Sequence, residues 1–235
     1  MNQTILEVRN IEKAYNGKTV VSIPALSVAT HETVGVVGNN GAGKTTLFRM
    51  ILDLIRPSDG EVFLKGLNVM QSGAWKSYTG SHLDEGFLID YLTPEEYFRF
   101  IGDLHGLSDG DITERLAPFL DFFNGEILAQ RKYIRDFSKG NQKKIGVAAA
   151  ALFNPELLIL DEPFANLDPS SQIRLKNLLK TLRDQHGMAI LISSHDLSHV
   201  TEVCERIIIL EKGQLIQDMQ TTENTLQELE NYFTV

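Results

Sequence analysis

Residues 38–46 read "GNNGAGKTT", matching the spacing G-x-x-x-x-G-K-[ST]. Gly38, Gly41 and Gly43 let the backbone curl until successive N–H groups point into one concavity, a cradle for phosphate oxygens. Asn39, Asn40, Ala42 and Thr46 complete the candidate nucleotide-binding run. Lys44 would place a point charge on the β- and γ-phosphates, and Thr45 would offer a hydroxyl to Mg²⁺. The competing reading is a glycine-rich turn with a lone lysine. At ordinary glycine frequency the pattern arises by chance on the order of once per hundred chains of this length. Its setting between an apolar run and a helical pattern reduces that further.

A second chemical stretch, "LLILDEP" (157–163), carries two carboxylates on the end of an apolar strand. In α/β proteins ligands sit at that carboxyl edge. Asp161 can hold Mg²⁺ through water, and Glu162 can orient or deprotonate an attacking water. Taken alone, an acidic pair after a strand is a common surface feature; beside a phosphate loop the functional reading prevails. His195, in "LISSHDL", follows another apolar strand by two residues, an edge position from which it can reach a γ-phosphate. A third stretch, "RDFSKGNQKK" (135–144), reads as a helix start, with Ser138 as cap and Gly140 leaving the backbone bare. Its free N–H groups make a second anion site, far along the chain from the first.

These residues need elements to carry them. "TILEV" (4–8) and "TVVSIPALSV" (19–28) read as strands of an antiparallel layer, and "ETVGVVG" (32–38) as a strand opening into a helix at about residue 43. "EVFLK" (61–65) returns as a strand. "TPEE" (93–96) is a capping box with Pro94 at the first helical position, and "SDGD" (108–111) starts a second helix. The α/β rhythm then resumes: strand 157–160, a helix from "DPSSQ" with Leu175, Leu178, Leu179 and Leu182 on one face, and a stop at Gly187. Strand 189–193, a short helix, hairpin 206–216 and a terminal helix at 225–233 follow. The expected fold is α/β, a P-loop nucleoside triphosphatase core with an antiparallel β subdomain and a helical insertion. Residues 1–83 and 141–235 form the core, and about 84–140 form the helical subdomain.

Composition limits the partners. The chain has 235 residues, 43% hydrophobic and 23% charged, enough for one large domain with a subdomain. Asp and Glu total 31 against 22 Lys and Arg, a net charge of −9, which argues against nucleic acid as a partner. An anionic ligand must then be drawn by local charges and dipoles. The single cysteine, Cys204, makes no intrachain disulfide and fits a reducing compartment as a core residue. The N-terminal stretch lacks signal-peptide character, and the longest apolar runs, such as "VAAAALF" (147–153), are too short to span a membrane.

In this order and spacing the motifs resemble the ATP-binding subunit of an ABC transporter, over essentially all 235 residues. The resemblance makes Tyr15, in "KAYNGK", the adenine-stacking aromatic, "FSKGN" (137–141) the signature, and "NLDP" (166–169), with Asp168, the loop at a dimer seam. The signature departs from the usual LSGGQ at Phe137, Lys139 and Asn141. Ser138 and Gly140, which the family uses to touch the γ-phosphate, are kept. Asp84, in "TGSHLDEGFLIDYLT" (79–93), aligns with a glutamine that normally serves Mg²⁺ and water. A carboxylate there can bind Mg²⁺ but is shorter and adds charge beside ATP; an exposed loop aspartate is the alternative.

The resemblance implies that two copies meet head to tail, each signature helix pointing at the ATP of the other, so the second anion site belongs to the partner copy's nucleotide. It implies ATP and Mg²⁺ as ligands, and an integral membrane permease that drops a short helix into a cleft beside the insertion. The place of work is then cytoplasmic, peripheral on the inner face of the cell membrane. The insertion carries Phe87, Tyr91, Tyr97, Phe98, Phe100, Phe119, Phe122 and Phe123; most are expected to be the lobe's own core, and a minority, Phe87 and Tyr91, to line the cleft. The variant loop and "SKG" lean toward export-type subunits. The rival is a soluble ATP switch of the same fold acting on nucleic acid or ribosomes. Such proteins usually carry tandem ATP domains or a long coiled coil before the signature, for which residues 44–137 leave no room.

Overall fold

A computed structural model describes residues 3–83 and 85–234. In chain order the elements are β1 (Thr4–Tyr15), β2 (Lys18–Ala29), β3 (Thr33–Val37), α1 (Lys44–Ile51), β4 (Asp59–Leu64), β5 (Leu67–Asn68) and β6 (Thr79–His82). There follow α2 (Pro94–Leu104), α3 (Asp109–Leu116), α4 (Leu120–Phe123), α5 (Lys139–Ala151), β7 (Leu157–Asp161) and α6 (Pro169–His186). The chain finishes with β8 (Ala189–Ser194), α7 (Leu197–Val203), β9 (Arg206–Glu211), β10 (Gln214–Gln220) and α8 (Thr225–Thr234).

The strands run in the order β5-β4-β1-β2-β10-β9-β3-β8-β7-β6. One half, β9-β3-β8-β7-β6, is parallel; β10 pairs antiparallel with β9 and meets β2, the edge of the antiparallel β5-β4-β1-β2 group, through a single parallel pair, Gln214 with Ser22. β1 is longer than the "TILEV" run suggests, reaching Tyr15 by pairing with β2, with β4 on its other side as far as Glu12. β3, β7 and β8 are buried at every position, as expected of parallel strands covered on both faces. Because side chains alternate across a strand, successive residues enter different cores. Leu158 and Leu160 of β7, with Ile190 and Ile192 of β8, meet the leucine face of α6. Leu157, Ile159, Ala189 and Leu191 meet α1 and the antiparallel strands.

Local signals account for the helix starts. Thr93 and Ser108 each cap a helix with the reciprocal bond from the third residue on, Glu96 and Asp111. α6 begins at Pro169 under the Asp168 cap and ends at Gly187. Phe98, Phe119, Phe122 and Phe123 are buried together between α2, α4 and α5, with Phe98 and Phe123 stacked at 6.0 Å. Phe100 faces outward. Phe87 and Tyr91 are exposed by 56% and 64%, which leaves them available as contact residues. Among the described residues no helix is long and apolar enough to cross a membrane.

Candidate functional site

Three strands adjacent in the sheet, β3, β8 and β7, deliver their carboxyl ends to one edge. The phosphate loop leaves β3 there, Asp161 ends β7, and His195 follows β8. Gly43, which starts α1, has φ +105°, a conformation that a side chain would strain. Lys44, the first residue of that helix, is 6% exposed, and its Nζ donates to the Gly38 carbonyl at 2.6 Å. The same ammonium lies 3.4 Å from Glu162 Oε1. Thr45 Oγ1 donates to Asp161 Oδ2 at 2.5 Å, so the hydroxyl and carboxylate converge across the sheet edge. Tyr15, Asn40, Gly41, Ala42, Thr46 and Glu162 join Lys44 and Thr45 around a cavity of about 360 Å³. Asn39 is exposed in the same loop, and Tyr15, half exposed, stands at the rim with Lys13 Nζ 5.0 Å from its ring centre.

Glu162 is held from several directions. Its backbone takes φ +47°, a sparsely populated region for a side-chain-bearing residue that costs of order 1–3 kcal/mol. Its N–H donates to Ser193 Oγ at 2.9 Å, and its carbonyl accepts from Lys143 Nζ at 3.1 Å. Its Oε2 lies 2.8 Å from His195 Nδ1. Ser193 Oγ also donates to Asp161 Oδ1, because the β7–β8 register pairs Asp161 with Ser193. Sequence reasoning missed Ser193 and Lys143. The signal for the first was present: two serines ending the apolar run "AILISS" place a hydroxyl where only a buried polar partner explains it. The signal for Lys143 was weaker, one of two consecutive lysines within the helix that Ser138 starts.

The signature residues lie apart from this cavity. Ser138 caps α5, accepting from Asn141 N at 3.2 Å, and is exposed, while neither it nor Gly140 is among the residues around the phosphate loop. Asp168 is exposed too. Its carboxylate caps α6, accepting from the hydroxyls of Ser170 and Ser171 and from Ser171 N, and these bonds push its pKa far below the usual carboxylate range. Asp84 lies outside the described residues.

A phosphate tail laid in this cavity meets backbone N–H groups, one ammonium and a hydroxyl, with a carboxylate pair opposite. Such a site defines the class as a P-loop nucleoside triphosphatase. The ABC transporter family profile matches residues 22–165, and the chain belongs to that family. It is accordingly an ATPase that binds ATP.

The bacitracin transport ATP-binding protein BcrA of Enterococcus faecalis is 33% identical over 220 residues, 93% of this chain and 70% of that protein. The linearmycin resistance ATP-binding protein LnrL of Bacillus subtilis (strain 168) is 34% identical over 213 residues, 90% of this chain and 68% of that protein. Across such relatives the chain spans 62% to 76% of their own length. A solved ATP-binding subunit of an ABC transporter superposes with a TM-score of 0.83 at 28% identity, covering 97% of this chain and 94% of that one. The fold is also that of a dimeric ATP-binding cassette bound to ADP and Pi, with a TM-score of 0.82 at 21% identity, covering 93% of this chain and 99% of that one.

Proposed function

We propose that this chain powers transport through a membrane permease by forming an ATP-bound head-to-tail dimer with a second copy of itself. The observation that carries the dimer is the separation just described: the anion-ready start of α5 stands outside the cavity around its own phosphate loop. A helix N-terminus with exposed Ser138 is ready to meet a phosphate brought by a second copy. In that dimer Lys44 and the loop N–H groups of one copy hold the triphosphate, Tyr15 stacks on the base, and Ser138 and Gly140 of the other copy touch the γ-phosphate. Glu162 accepts the proton of the attacking water, with His195 at its side near the γ-phosphate. Asp168 acts through α6, whose start it caps beside the seam.

Mg²⁺ fits this site, since Thr45 Oγ1 and Asp161 Oδ2 already converge as hard oxygen donors and phosphate oxygens would complete the set. Thr45 and Asp161 would hold it, with Asp84 as a further ligand. Bound there, the ion would neutralise charge on the phosphates.

The permease reading is supported by a groove of about 230 Å³ between β6, α2 and α5, lined by Phe87, Leu88, Tyr97, His105 and Phe153 among others. Phe87 is at this groove, whereas Tyr91 is exposed outside its lining. The helical lobe of about 84–140 would then be the docking lobe, and the working place the cytoplasmic face of the membrane. Two relatives are named for bacitracin transport and linearmycin resistance, which favours export over uptake. Phe87→Asp should move the chain from the membrane fraction of its native cells to the supernatant by about tenfold, since it removes an apolar contact worth roughly 1.5–3 kcal/mol and adds a charge. ATP binding should be unchanged. Undiminished membrane retention would move the docking surface elsewhere. Salt-resistant capture of RNA or DNA by the purified chain would favour a soluble switch instead.

A further inference from the structure

Lys143 is the fifth residue of α5, one and a half turns beyond the exposed Ser138, yet it is only 4% exposed. Its ammonium donates to the main-chain carbonyl of Glu162 at 3.1 Å. Burying an ammonium is costly unless acceptors are in place, and the Glu162 carbonyl is one of them. Neighbouring contacts lock the same helix start against the segment that follows β7. A Cβ on Gly140 would come within 2.6 Å of the Asn166 carbonyl, so only glycine allows the approach. Gln142 Nε2 donates to the carbonyls of Ile134 and Phe137 at 3.2 and 3.0 Å, tying down the loop before the helix.

Glu162 needs such support. Its left-handed backbone is strained, and the strain persists only where surrounding bonds over-determine it. Ser193 holds the N–H side of the residue from β8, and Lys143 holds the carbonyl side from α5. The two bonds fix the main chain at Glu162, the base from which its carboxylate reaches Lys44 and His195.

From this geometry we infer that Lys143 is a positioning residue for hydrolysis, aiming the Glu162 carboxylate at the attacking water. Its ammonium bonds the main chain of Glu162, and Lys143 is not among the residues around the phosphate-loop cavity. The same bond ties the helix that begins at Ser138 to this chain's own hydrolytic carboxylate, so displacement of that helix start is felt at Glu162. The inference rests on reading Glu162 as the base.

The experiment compares Lys143→Met, Lys143→Gln and Lys143→Arg by steady-state ATP hydrolysis and equilibrium ATP binding. A carboxylate misaimed by about 1 Å should lower kcat by roughly 10–100-fold in the Met and Gln variants, with ATP affinity within about twofold. Lys143→Arg, which keeps the charge and a donor, should recover most of kcat. In a Glu162→Gln background Lys143→Met should cause no further loss, because the group it aims is gone. Unchanged kcat in Lys143→Met, a loss carried mainly by ATP affinity, or equal losses in both backgrounds would each overturn the inference. Failure of both neutral variants to fold would assign Lys143 to stability and overturn it as well. Full activity in Glu162→Gln alone would instead remove the base reading.

Discussion

Glu162→Gln is expected to slow ATP turnover by ~10²–10⁴-fold while leaving ATP binding intact, the loss typical of removing a positioned general base. The amide keeps the shape of the side chain. Ser193 and Lys143 hold the main chain of the residue, not its carboxylate, so the substituted side chain should start from the same place. What is lost is the proton acceptor, together with the ion pair to Lys44 at 3.4 Å and the charge facing His195 Nδ1. Binding groups on the phosphate loop are untouched. The variant should therefore accumulate with ATP bound, as a dimer visible by size-exclusion chromatography with light scattering. Turnover at the unmutated rate would remove Glu162 from the chemistry.

Lys44→Ala should act at the earlier step. The buried ammonium supplies the one side-chain charge within the loop itself, in a molecule whose net charge of −9 repels a triphosphate. Two charge-assisted bonds to phosphate, at about 1.5–3 kcal/mol each, correspond to a loss of ATP affinity on the order of 10²–10⁴-fold. Release of Glu162 from its ion pair offsets none of this, since it leaves a carboxylate facing the phosphates uncompensated. Calorimetric titration with ATP and Mg²⁺ reads the change directly, and a thermal melt of the same sample checks that the loop remains folded. Affinity within threefold of the unmutated chain would mean that the backbone cradle carries binding alone.

The parts of this site that were legible in the sequence are those in which one short segment both forms an element and presents its chemistry. The loop at 38–46 is such a segment, since its glycines make the turn and its lysine does the binding. The strand "LLILDEP" is another: five buried positions deliver Asp161 to the sheet edge, so the apolar run itself gives the direction. The capping boxes at Thr93 and Ser108 were equally local. What escaped was set by pairing between distant segments. Ser193 matters because the β7–β8 register puts it opposite Asp161, and register between parallel strands separated by a helix is not written in either strand. Lys143 matters because α5 packs against the turn after β7, a tertiary fact that no helix periodicity contains. The full length of β1 had the same origin, since its second half is extended through pairing with β2 and not through its own alternation. Phe100 shows why an aromatic count does not separate core from surface: it sits on the same amphipathic helix as buried Phe98, and the lobe leaves it outside.

Whether Lys44 and Ser138 serve the same ATP from different chains can be read from one mixing experiment. One chain carries Lys44→Ala and the other Ser138→Arg, each nearly inactive as a homodimer. In the mixed dimer of the proposed arrangement one site receives both lesions, and the other combines an intact phosphate loop with an intact signature. ATP hydrolysis should reappear on mixing, rising with the fraction of mixed dimer measured by differential tags. If Ser138 served its own chain's nucleotide, every site in the mixture would carry one lesion. A verified, ATP-bound mixed dimer that stays as inactive as its parents would contradict the head-to-tail arrangement.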